Sequence, residues 1–306
     1  MIYTSVSQLI GGTPLFEAKN IEEELNLKAR LLLKLELFNP TGSAKDRAAQ
    51  YIIEDAEKAG LLGPGSVIVE STSGNTGIGL ASIAASKGYK AVIIMPDSMS
   101  QERIKLMKAY GAEVVLSDGS KGMSGSLEKL EEVKKQYPGC FVAGQFVNPS
   151  NTKAHFCTTG PEIWEDCGGE IDYFVAGVGT GGTISGVGEF LKSKKPAVKI
   201  AAVEPVKSPM LSKGISGSHG LQGIGANFIP EILNTEIYDE IISIDEASAY
   251  EMARLLGRRE GLMTGISSGA ALKAAVIIAQ RPENEGKTVV ALLPDSGDRY
   301  LSTELY

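Results

Sequence analysis

Lys45 is the residue whose type and position most directly suggest chemistry. It lies in the loop FNPTGSAKD (38–46), after the strand-like run LLLKLEL (31–37). Pro40 ends the strand pattern, and Ser43 is a good N-cap for the helix-like stretch that follows. In the first turn of a helix, both the helix dipole and desolvation favour a neutral, nucleophilic amine. On this segment alone, a lysine with its ammonium in water is the simpler interpretation.

A second candidate is the glycine-rich loop GVGTGGTISG (177–186), between the strand-like DYFVA and a helix-like stretch. Consecutive glycines let backbone N–H groups close on an anion, and a helix N-terminus adds its dipole, so the loop predicts a phosphate site. A Walker-type nucleotide loop is excluded because GK[ST] is absent. Gly177, Gly179 and Gly182 satisfy GxGxxG and Glu204 ends the next strand, so a nicotinamide dinucleotide is a rival ligand.

The loop ESTSGNTGIGLAS (70–82) also joins a strand-like run to a helix-like one. Its hydroxyls, amide and backbone N–H groups would hold a carboxylate without any charged residue. These groups belong to Thr72, Ser73, Gly74, Asn75 and Thr76. A well-capped helix explains this loop equally well. Near the C-terminus, Ser296 lies in a turn after a buried strand, where an ordinary Asp-Ser-Gly turn is the simpler interpretation.

Composition excludes several classes of protein. The 306 residues suggest about two domains, with 43% hydrophobic and 22% charged residues, as in ordinary globular proteins. A net charge of −7, without long Lys/Arg runs, argues against nucleic acid and membrane surfaces as partners. No signal peptide is recognisable, and no stretch reaches the ~20 apolar residues of a transmembrane helix. Three cysteines without CxxC spacing and two histidines argue against a metal site and indicate a reduced, cytoplasmic protein.

The elements that must position these loops alternate between β-rich and amphipathic runs along nearly the whole chain. This order predicts mostly parallel, twisted sheets with helices on both faces. We therefore predict an α/β fold of two three-layer domains, residues 1–149 and 150–306, with ligand loops at the carboxyl ends of strands. We expect the first ~35 residues to be able to pack on the second domain.

Taken together, these stretches resemble the pyridoxal-phosphate enzymes of the cysteine synthase (O-acetylserine sulfhydrylase) family, which have fold type II, the tryptophan synthase β-like fold. The resemblance covers almost all of the chain. It implies that the cofactor is pyridoxal phosphate, a choice that the GxGxxG pattern alone leaves open. The matching blocks are IGGTPL, KLELFNPTGSAKDR, STSGNTGIGLA, MPDSMSQERIKLMKAYGAEV, HFCTTGPEIW, GVGTGGTISGV, AVEP, QGIGANFIP, GISSGAA and PDSGDRYLST.

The resemblance implies a role for each candidate residue. Lys45 would form the Schiff base with pyridoxal phosphate and later remove the substrate α-proton. Asn75 would hydrogen-bond the ring hydroxyl of the cofactor, and Ser296 its pyridine nitrogen. The cofactor phosphate would be held by Gly179, Thr180, Gly181, Gly182 and Thr183. The α-carboxylate of the amino acid would be bound by Thr72, Ser73, Asn75, Thr76 and Gln145.

The reaction implied by the resemblance is a β-replacement. O-acetyl-L-serine and hydrogen sulfide would give L-cysteine and acetate through an α-aminoacrylate intermediate, in ping-pong order. A serine opposite the pyridine nitrogen would not keep that nitrogen protonated, which disfavours a long-lived quinonoid and transamination. Within the same scaffold, the alternative is a cysteine-consuming enzyme that releases hydrogen sulfide, of the cysteine desulfhydrase, lanthionine synthase or cystathionine synthase type. An NAD-dependent oxidoreductase and a non-catalytic binding protein are more remote alternatives.

Departures from the family pattern leave the preferred β-substituted amino acid open. Ala44 stands where many relatives have a larger aliphatic residue, and the segment GISGSHG (214–220) is short where relatives choose their substrate. An Arg-rich pocket for O-phosphoserine is not apparent around residues 207–222. The resemblance also implies a homodimer, and the C-terminal tail of a serine acetyltransferase as a partner.

Overall fold

Strands and helices alternate along the chain, as the sequence predicts. The structure, a computed structural model, describes residues 1–72, 74–97, 100–119 and 122–306, the side chains of 122–124 excepted. The strands are β1 (Leu15–Glu17), β2 (Arg30–Leu35), β3 (Val67–Ser71), β4 (Lys90–Pro96), β5 (Glu113–Ser117), β6 (Phe141–Val142), β7 (Tyr173–Gly177), β8 (Lys199–Pro205), β9 (Glu240–Ile244) and β10 (Thr288–Leu293). The α-helices are α1 (Lys19–Glu24), α2 (Lys45–Lys58), α3 (Asn75–Lys87), α4 (Gln101–Ala109), α5 (Gly122–Gln136), α6 (Ser150–Ala154), α7 (Gly160–Asp166), α8 (Gly182–Lys194), α9 (Met210–Lys213), α10 (Glu246–Glu260) and α11 (Ile266–Ala279).

The chain divides into two compact units. Residues 1–10 and 39–151 form unit 1, and residues 11–38 and 152–306 form unit 2. The segment 11–38, which carries β1, α1 and β2, therefore belongs to unit 2 although it precedes most of unit 1 in the chain.

Unit 1 contains a parallel sheet with the strand order β5-β4-β3-β6 in the described residues. Successive residues of β3 face opposite layers because side chains alternate along a strand. Ile68 packs with apolar residues of α2, α3 and α4, whereas Val69 packs with Leu130 and Val133 of α5. Both faces of the sheet are therefore covered, which explains why the inner strand β4 is apolar from Ala91 to Pro96 without alternation.

Unit 2 contains a sheet with the order β1-β2-β10-β7-β8-β9 in the described residues. Its strand pairs are parallel except for β1, which is antiparallel to β2. Leu31 and Leu33 of β2 face a core with α10 and α11, and Leu32 faces a second core with α7 and α8. This is again a three-layer arrangement, and the predicted α/β fold class is confirmed.

Some predicted element bounds differ from the structure. The strand-like run 31–37 ends as a strand at Leu35, and Glu36–Phe38 is a short 3-10 helix. The β-rich run CFVAGQF (140–146) also predicts a strand, but only Phe141–Val142 forms one, because Gly144 takes a φ of +64° and turns the chain away from the sheet.

Two further classes of feature are absent from the part of the chain that the structure describes. In these residues no helix is long and apolar enough to cross a membrane. Nor do they contain a cluster of three or more His, Cys, Asp or Glu side chains able to hold a metal ion.

Candidate active site

Lys45 is the first residue of α2, and its side chain is half-buried. The sequence predicts Ser43 as the N-cap, but Ala44 occupies that position, with φ −56° and ψ −20° that are already helical. Ser43 still supports the helix start, because its hydroxyl accepts a hydrogen bond from the Lys45 N–H at 3.3 Å. Lys45 thus lies in the first helical turn, as predicted.

Asp46, the residue after Lys45, fixes the turn that leads into the helix. Its carboxylate is buried and accepts hydrogen bonds from the Thr41 N–H at 2.7 Å and from the Thr41 hydroxyl. Within the same turn, the Gly42 N–H donates to the Asn39 carbonyl at 2.7 Å, with Gly42 at φ +78°. An acidic residue in the first turn also suits the helix dipole. The backbone that carries Lys45 is therefore held from both sides.

The predicted carboxylate loop connects β3 to α3 in unit 1. Thr72 is buried and its hydroxyl accepts the Gly74 N–H at 3.3 Å, which shapes the loop before Asn75 begins the helix. Thr76, in the first turn of α3, is also buried. Ser73, which was predicted to join them, lies outside the described residues.

Gln145 comes from a distant part of the chain and contacts this loop directly. The Thr76 hydroxyl donates a hydrogen bond to the Gln145 side-chain oxygen, across 69 residues of sequence. Gln145 is buried, and Asn151 Nδ2 donates to the backbone carbonyl of Gln145 at 2.8 Å. The structure therefore brings together two of the predicted substrate residues through a hydrogen bond.

Arg103 of α4 is a charged residue at the loop that sequence reasoning missed. A Cβ placed on Gly74 would lie 3.6 Å from the Arg103 Cζ, and the Arg103 side chain is almost fully buried. The guanidinium group therefore lies against the loop backbone, where it would add positive potential for an anion. Because Arg103 is distant from the loop in sequence, no local pattern indicated that the two would be in contact.

The predicted phosphate loop joins β7 to α8 in unit 2. Gly181, the N-cap of α8, has a φ of +86°, and a Cβ there would lie 2.7 Å from the Leu233 Cβ. A Cβ on Gly179 would overlap the carbonyl oxygen of Gly223. The loop is thus packed so closely from behind that only glycine fits, which leaves the backbone N–H groups of the helix start to face an anion.

Thr183, in the first turn of α8, is held by a histidine that the sequence analysis did not single out. The His155 Nε2 lies 3.1 Å from the Thr183 hydroxyl, and its Nδ1 lies 2.9 Å from the Thr159 hydroxyl. His155 is completely buried in a π-helical turn, His155–Thr159. The histidine therefore orients one of the predicted phosphate ligands. The only sequence signal is its i,i+4 spacing from Thr159, which is too common to be diagnostic.

Ser296 follows β10, the strand that pairs with β7, so its turn and the phosphate loop lie at the same edge of one sheet. It is the N-cap of a 3-10 helix, Gly297–Tyr300. Its hydroxyl donates to the Asp298 carboxylate at 2.9 Å and accepts the Asp298 N–H at 3.3 Å. The hydroxyl is partly accessible, so it can turn its single proton from Asp298 toward an acceptor atom of a ligand.

The turn of Ser296 is braced by Tyr306. An isolated antiparallel β-bridge pairs Ser296 with Thr264. The Tyr306 hydroxyl accepts the Thr264 N–H at 3.0 Å and donates to the Thr264 carbonyl at 2.6 Å. Burial raises the pKa of this phenol, so it stays protonated and able to donate at neutral pH. Its ring also fills the space beside Gly297, where a Cβ would lie 2.9 Å from Tyr306.

Glu204, the acid that made a dinucleotide site conceivable, is engaged within unit 2. It is buried, and its carboxylate accepts hydrogen bonds from the Leu211 N–H at 2.8 Å and from the Ser243 hydroxyl at 3.1 Å. The Ser212 hydroxyl donates to it as well. These bonds use the carboxylate to hold the start of α9, so they argue against the ribose contact that NAD would need.

The residues present fit pyridoxal phosphate. The closely packed glycine loop at the start of α8, with the hydroxyls of Thr180 and Thr183, has the donors that a phosphate dianion requires. A half-buried lysine at a helix start suits an aldehyde, and the Ser296 hydroxyl suits a ring nitrogen. Each predicted ligand among the described residues therefore lies in an element that can present it.

Comparison with known proteins gives consistent results. A family model described as pyridoxal-phosphate dependent enzyme matches residues 6–295. The chain is 53% identical over 303 residues to a protein named cysteine synthase from Staphylococcus aureus (strain Mu50 / ATCC 700699), covering 99% of this chain and 96% of that one. The crystal structure of cysteine synthase from Entamoeba histolytica has a TM-score of 0.96 at 50% identity, covering 100% of this chain and 91% of that one. A hydrogen sulfide-producing enzyme from Fusobacterium nucleatum has a TM-score of 0.95 at 48% identity, covering 98% and 100%.

Proposed function

Because the chain belongs to the family of pyridoxal-phosphate dependent enzymes, we propose that it catalyses a β-replacement that makes cysteine. O-acetyl-L-serine and hydrogen sulfide are converted to L-cysteine and acetate, with pyridoxal phosphate as cofactor. The observation that carries the proposal is 53% identity to a cysteine synthase over 99% of the chain. The lysine at a helix start and the two anion loops supply the groups that this reaction needs.

Pyridoxal phosphate, when bound, supplies the electron-withdrawing ring that makes the α-proton and the β-substituent of an amino acid labile. In our proposal the Lys45 amine holds the cofactor and, once released, takes the α-proton at Nζ. The packed turn around Asp46 keeps this amine in place. Asn75 donates to the ring hydroxyl and the Ser296 hydroxyl faces the ring nitrogen. The cofactor phosphate is held by Gly179, Thr180, Gly181, Gly182 and Thr183, with His155 orienting the last of these.

The substrate carboxylate is bound, in this proposal, by residues of unit 1 alone. They are Thr72, Ser73, Asn75, Thr76 and Gln145. The hydrogen bond from Thr76 to Gln145 supports this assignment, because it links the two segments that would converge on the carboxylate. The Arg103 guanidinium behind Gly74 adds a favourable potential. Such positioning holds the α-carbon of the substrate in one orientation toward the proton acceptor.

A second candidate function uses the same residues on a different substrate. The enzyme would consume cysteine and release hydrogen sulfide, as a cysteine desulfhydrase, lanthionine synthase or cystathionine synthase does. The 48% identity to a hydrogen sulfide-producing enzyme favours this candidate over others. An NAD-dependent oxidoreductase is disfavoured by the engagement of Glu204 within the protein.

The experiment that tests the proposal is a visible absorption spectrum of the purified protein, followed by additions of substrate. We expect a yellow protein whose spectrum changes with O-acetyl-L-serine and returns when sulfide is added, with acetate and L-cysteine formed in equal amounts. A response to L-cysteine with sulfide release, and little response to O-acetyl-L-serine, would favour the second candidate. A colourless protein that cannot be loaded with pyridoxal phosphate would overturn both.

We further propose that the protein works in the cytoplasm as a homodimer and that the C-terminal tail of a serine acetyltransferase competes with its amino-acid substrate. The cysteines Cys140, Cys157 and Cys167 are unpaired thiols, which is compatible with a reducing compartment. The family resemblance supports the other two assignments. Light scattering of the purified protein would measure its mass, and a monomer would contradict the dimer. A synthetic acetyltransferase tail that fails to inhibit would contradict the partner.

A further inference from the structure

Glu70 is a buried carboxyl group next to the proposed substrate site. It is the fourth residue of β3 and only 3% of its surface is exposed. On one side its register partner is Ile93 of β4, and on the other side the chain leaves β6 toward Gly144 and Gln145. A carboxylate in such surroundings is costly unless hydrogen-bond donors compensate for the lost water.

The donors come from the chain that follows β6. The Ala143 N–H still donates to the Val69 carbonyl at 3.0 Å, as in a regular strand pair. Gly144 then turns away at φ +64°, and its N–H donates to the Glu70 Oε2 at 2.7 Å instead. The backbone N–H and the side-chain amide of Gln145 also lie beside the Glu70 carboxyl, where they act as donors that lower its pKa. After Ala143, the side chain of Glu70 therefore takes the place of the backbone carbonyls of β3 as the hydrogen-bond acceptor for this segment.

The two neighbours of the Gln145 amide, Glu70 and Thr76, determine which way it points. A carboxylate can only accept hydrogen bonds, so the amide nitrogen of Gln145 must face Glu70. The amide oxygen then faces Thr76, whose hydroxyl donates to it. One hydrogen of the amide nitrogen serves Glu70, and the second would donate to a ligand carboxylate. With the amide reversed, the oxygen would take that place and repel the ligand.

We propose that Glu70 is a positioning residue that orients the Gln145 amide so that it binds the α-carboxylate of the amino-acid substrate. The proposal rests on the proposed function, which makes Gln145 a substrate ligand. It assigns Glu70 no contact with substrate or cofactor. Its effect is on the discrimination between an amino acid and the corresponding amine that lacks the carboxylate.

The titration of Glu70 adds a second consequence. Burial raises its pKa to about 7, while the bonds from Gly144 and Gln145 oppose the rise. Burial and these hydrogen bonds set this pKa, and no charged side chain contributes to it. Near neutral pH the carboxyl therefore changes between a form that only accepts and a form that can also donate. The selectivity for a carboxylate should increase as the pH rises through this range.

The test compares the binding of L-alanine and ethylamine to the cofactor-loaded enzyme, followed by cofactor absorption. These ligands differ only in the carboxylate, and neither has a β-leaving group. In Glu70→Gln we expect the affinity for L-alanine to fall about tenfold or more, because a charge-assisted acceptor is lost and the Gln145 amide can reverse. The affinity for ethylamine should stay unchanged. The ratio of the two affinities should rise between pH 6 and pH 8 in the wild type, a range of roughly one unit on each side of the Glu70 pKa, and stay flat in the variant.

Val69→Ala is the matched control, because it shortens the neighbouring buried residue of β3 without touching Gln145. It should lower the melting temperature and leave the alanine-to-ethylamine ratio intact. The proposal is overturned if Glu70→Gln keeps the wild-type ratio, if both ligands weaken equally, or if Val69→Ala changes the ratio as well. A wild-type enzyme that responds to neither ligand would overturn the proposed function itself, and the role of Glu70 with it.

Discussion

The loop 72–76 of unit 1 and the loop 177–183 of unit 2 both lead from the end of a parallel strand into the start of a helix. They differ in what determines their shape. The loop of unit 2 depends on missing side chains, since a Cβ on Gly179 or Gly181 would overlap its neighbours. The loop of unit 1 depends on side chains, since Thr72, Thr76 and Gln145 hold it by hydrogen bonds.

The difference follows from the anions that the two loops are proposed to bind. A cofactor phosphate stays in place, and a rigid array of backbone N–H groups at a helix start suits a permanent dianion. A substrate carboxylate must bind and leave in each turnover, and side-chain donors can be tuned by their own partners. Glu70 and Arg103 are such partners in unit 1. We expect substitutions in unit 2 to affect cofactor retention and those in unit 1 to affect substrate recognition.

The largest expected effect is on turnover, and it comes from Lys45, which belongs to neither loop. Lys45→Ala should reduce turnover by at least about a thousandfold, because the group that takes the α-proton is lost. Pyridoxal phosphate should still bind non-covalently through the loop of unit 2, with an altered visible spectrum. Lys58→Ala is the control, since Lys58 ends the same helix with a largely exposed side chain. An unchanged spectrum in Lys45→Ala would contradict the role of this lysine.

The next effect tests the contrast between the two loops directly. Gly179→Ala should destabilise the protein by about 1–3 kcal/mol through overpacking and reduce cofactor retention. Gly74→Ala in the loop of unit 1 should cost much less, because its nearest neighbour, the Arg103 side chain, is at an ordinary contact distance of 3.6 Å. Urea unfolding and cofactor content measure both. Equal losses in the two variants would contradict the proposed difference.

A comparable effect concerns the pH dependence of stability. The pKa of Glu70 is raised by burial to about 7 from 4.5, so the folded state binds this proton more tightly than the unfolded state does. Its stabilising contribution is present below pH 4.5 and is lost as the pH rises through 7. The full difference corresponds to roughly 3 kcal/mol. Relative to wild type, Glu70→Gln should therefore gain stability between pH 5 and pH 8, an interval of roughly the span over which this proton is lost.

The control for that experiment is Glu113, a carboxyl group whose pKa is shifted in the opposite direction. The hydrogen bond from Lys90 lowers the pKa of Glu113 in the same unit, so its stabilisation is lost as the pH falls. The free energy of unfolding of Glu113→Gln should therefore approach that of the wild type as the pH falls. The change should be small because the Lys90–Glu113 pair is largely exposed. Unfolding curves over the pH range measure both variants. Parallel curves for wild type and Glu70→Gln would contradict the raised pKa.

The smallest effect concerns the turn of Ser296, which resembles the loop of unit 1 in depending on a side chain. Tyr306→Phe removes the hydroxyl that bonds both backbone groups of Thr264. We expect a loss of about 1 kcal/mol, seen as a melting temperature lower by about 2–4 °C. A shift in the cofactor absorption should accompany it. Tyr250→Phe, a half-buried tyrosine of the same unit, is the control. An unchanged melting temperature would show that the brace contributes nothing.

The sequence alone was enough for the fold class and for the family. Strands such as β4, which is apolar from Ala91 to Pro96, occur where both faces of a sheet are covered, and this is visible in one short stretch. The glycines of the loop 177–183 are likewise visible in one short stretch, although the residues that leave no room for a Cβ on Gly179 and Gly181 come from a distant part of the chain. Several family blocks are also local, because each of KLELFNPTGSAKDR, STSGNTGIGLA and GVGTGGTISGV combines the end of a strand, a turn and the start of a helix.

The tertiary structure decided which distant side chains meet. Thr76 and Gln145 are 69 residues apart, and His155 and Thr183 are 28 apart, so neither hydrogen bond leaves a local pattern. Strand pairing next to β3 brings Gln145 to Glu70, and the packing of α4 brings Arg103 to Gly74. Local propensity acts within a turn or two of the chain, whereas these contacts form only once sheets and helices pack. The groups proposed to tune substrate binding are therefore those that the sequence could not reveal.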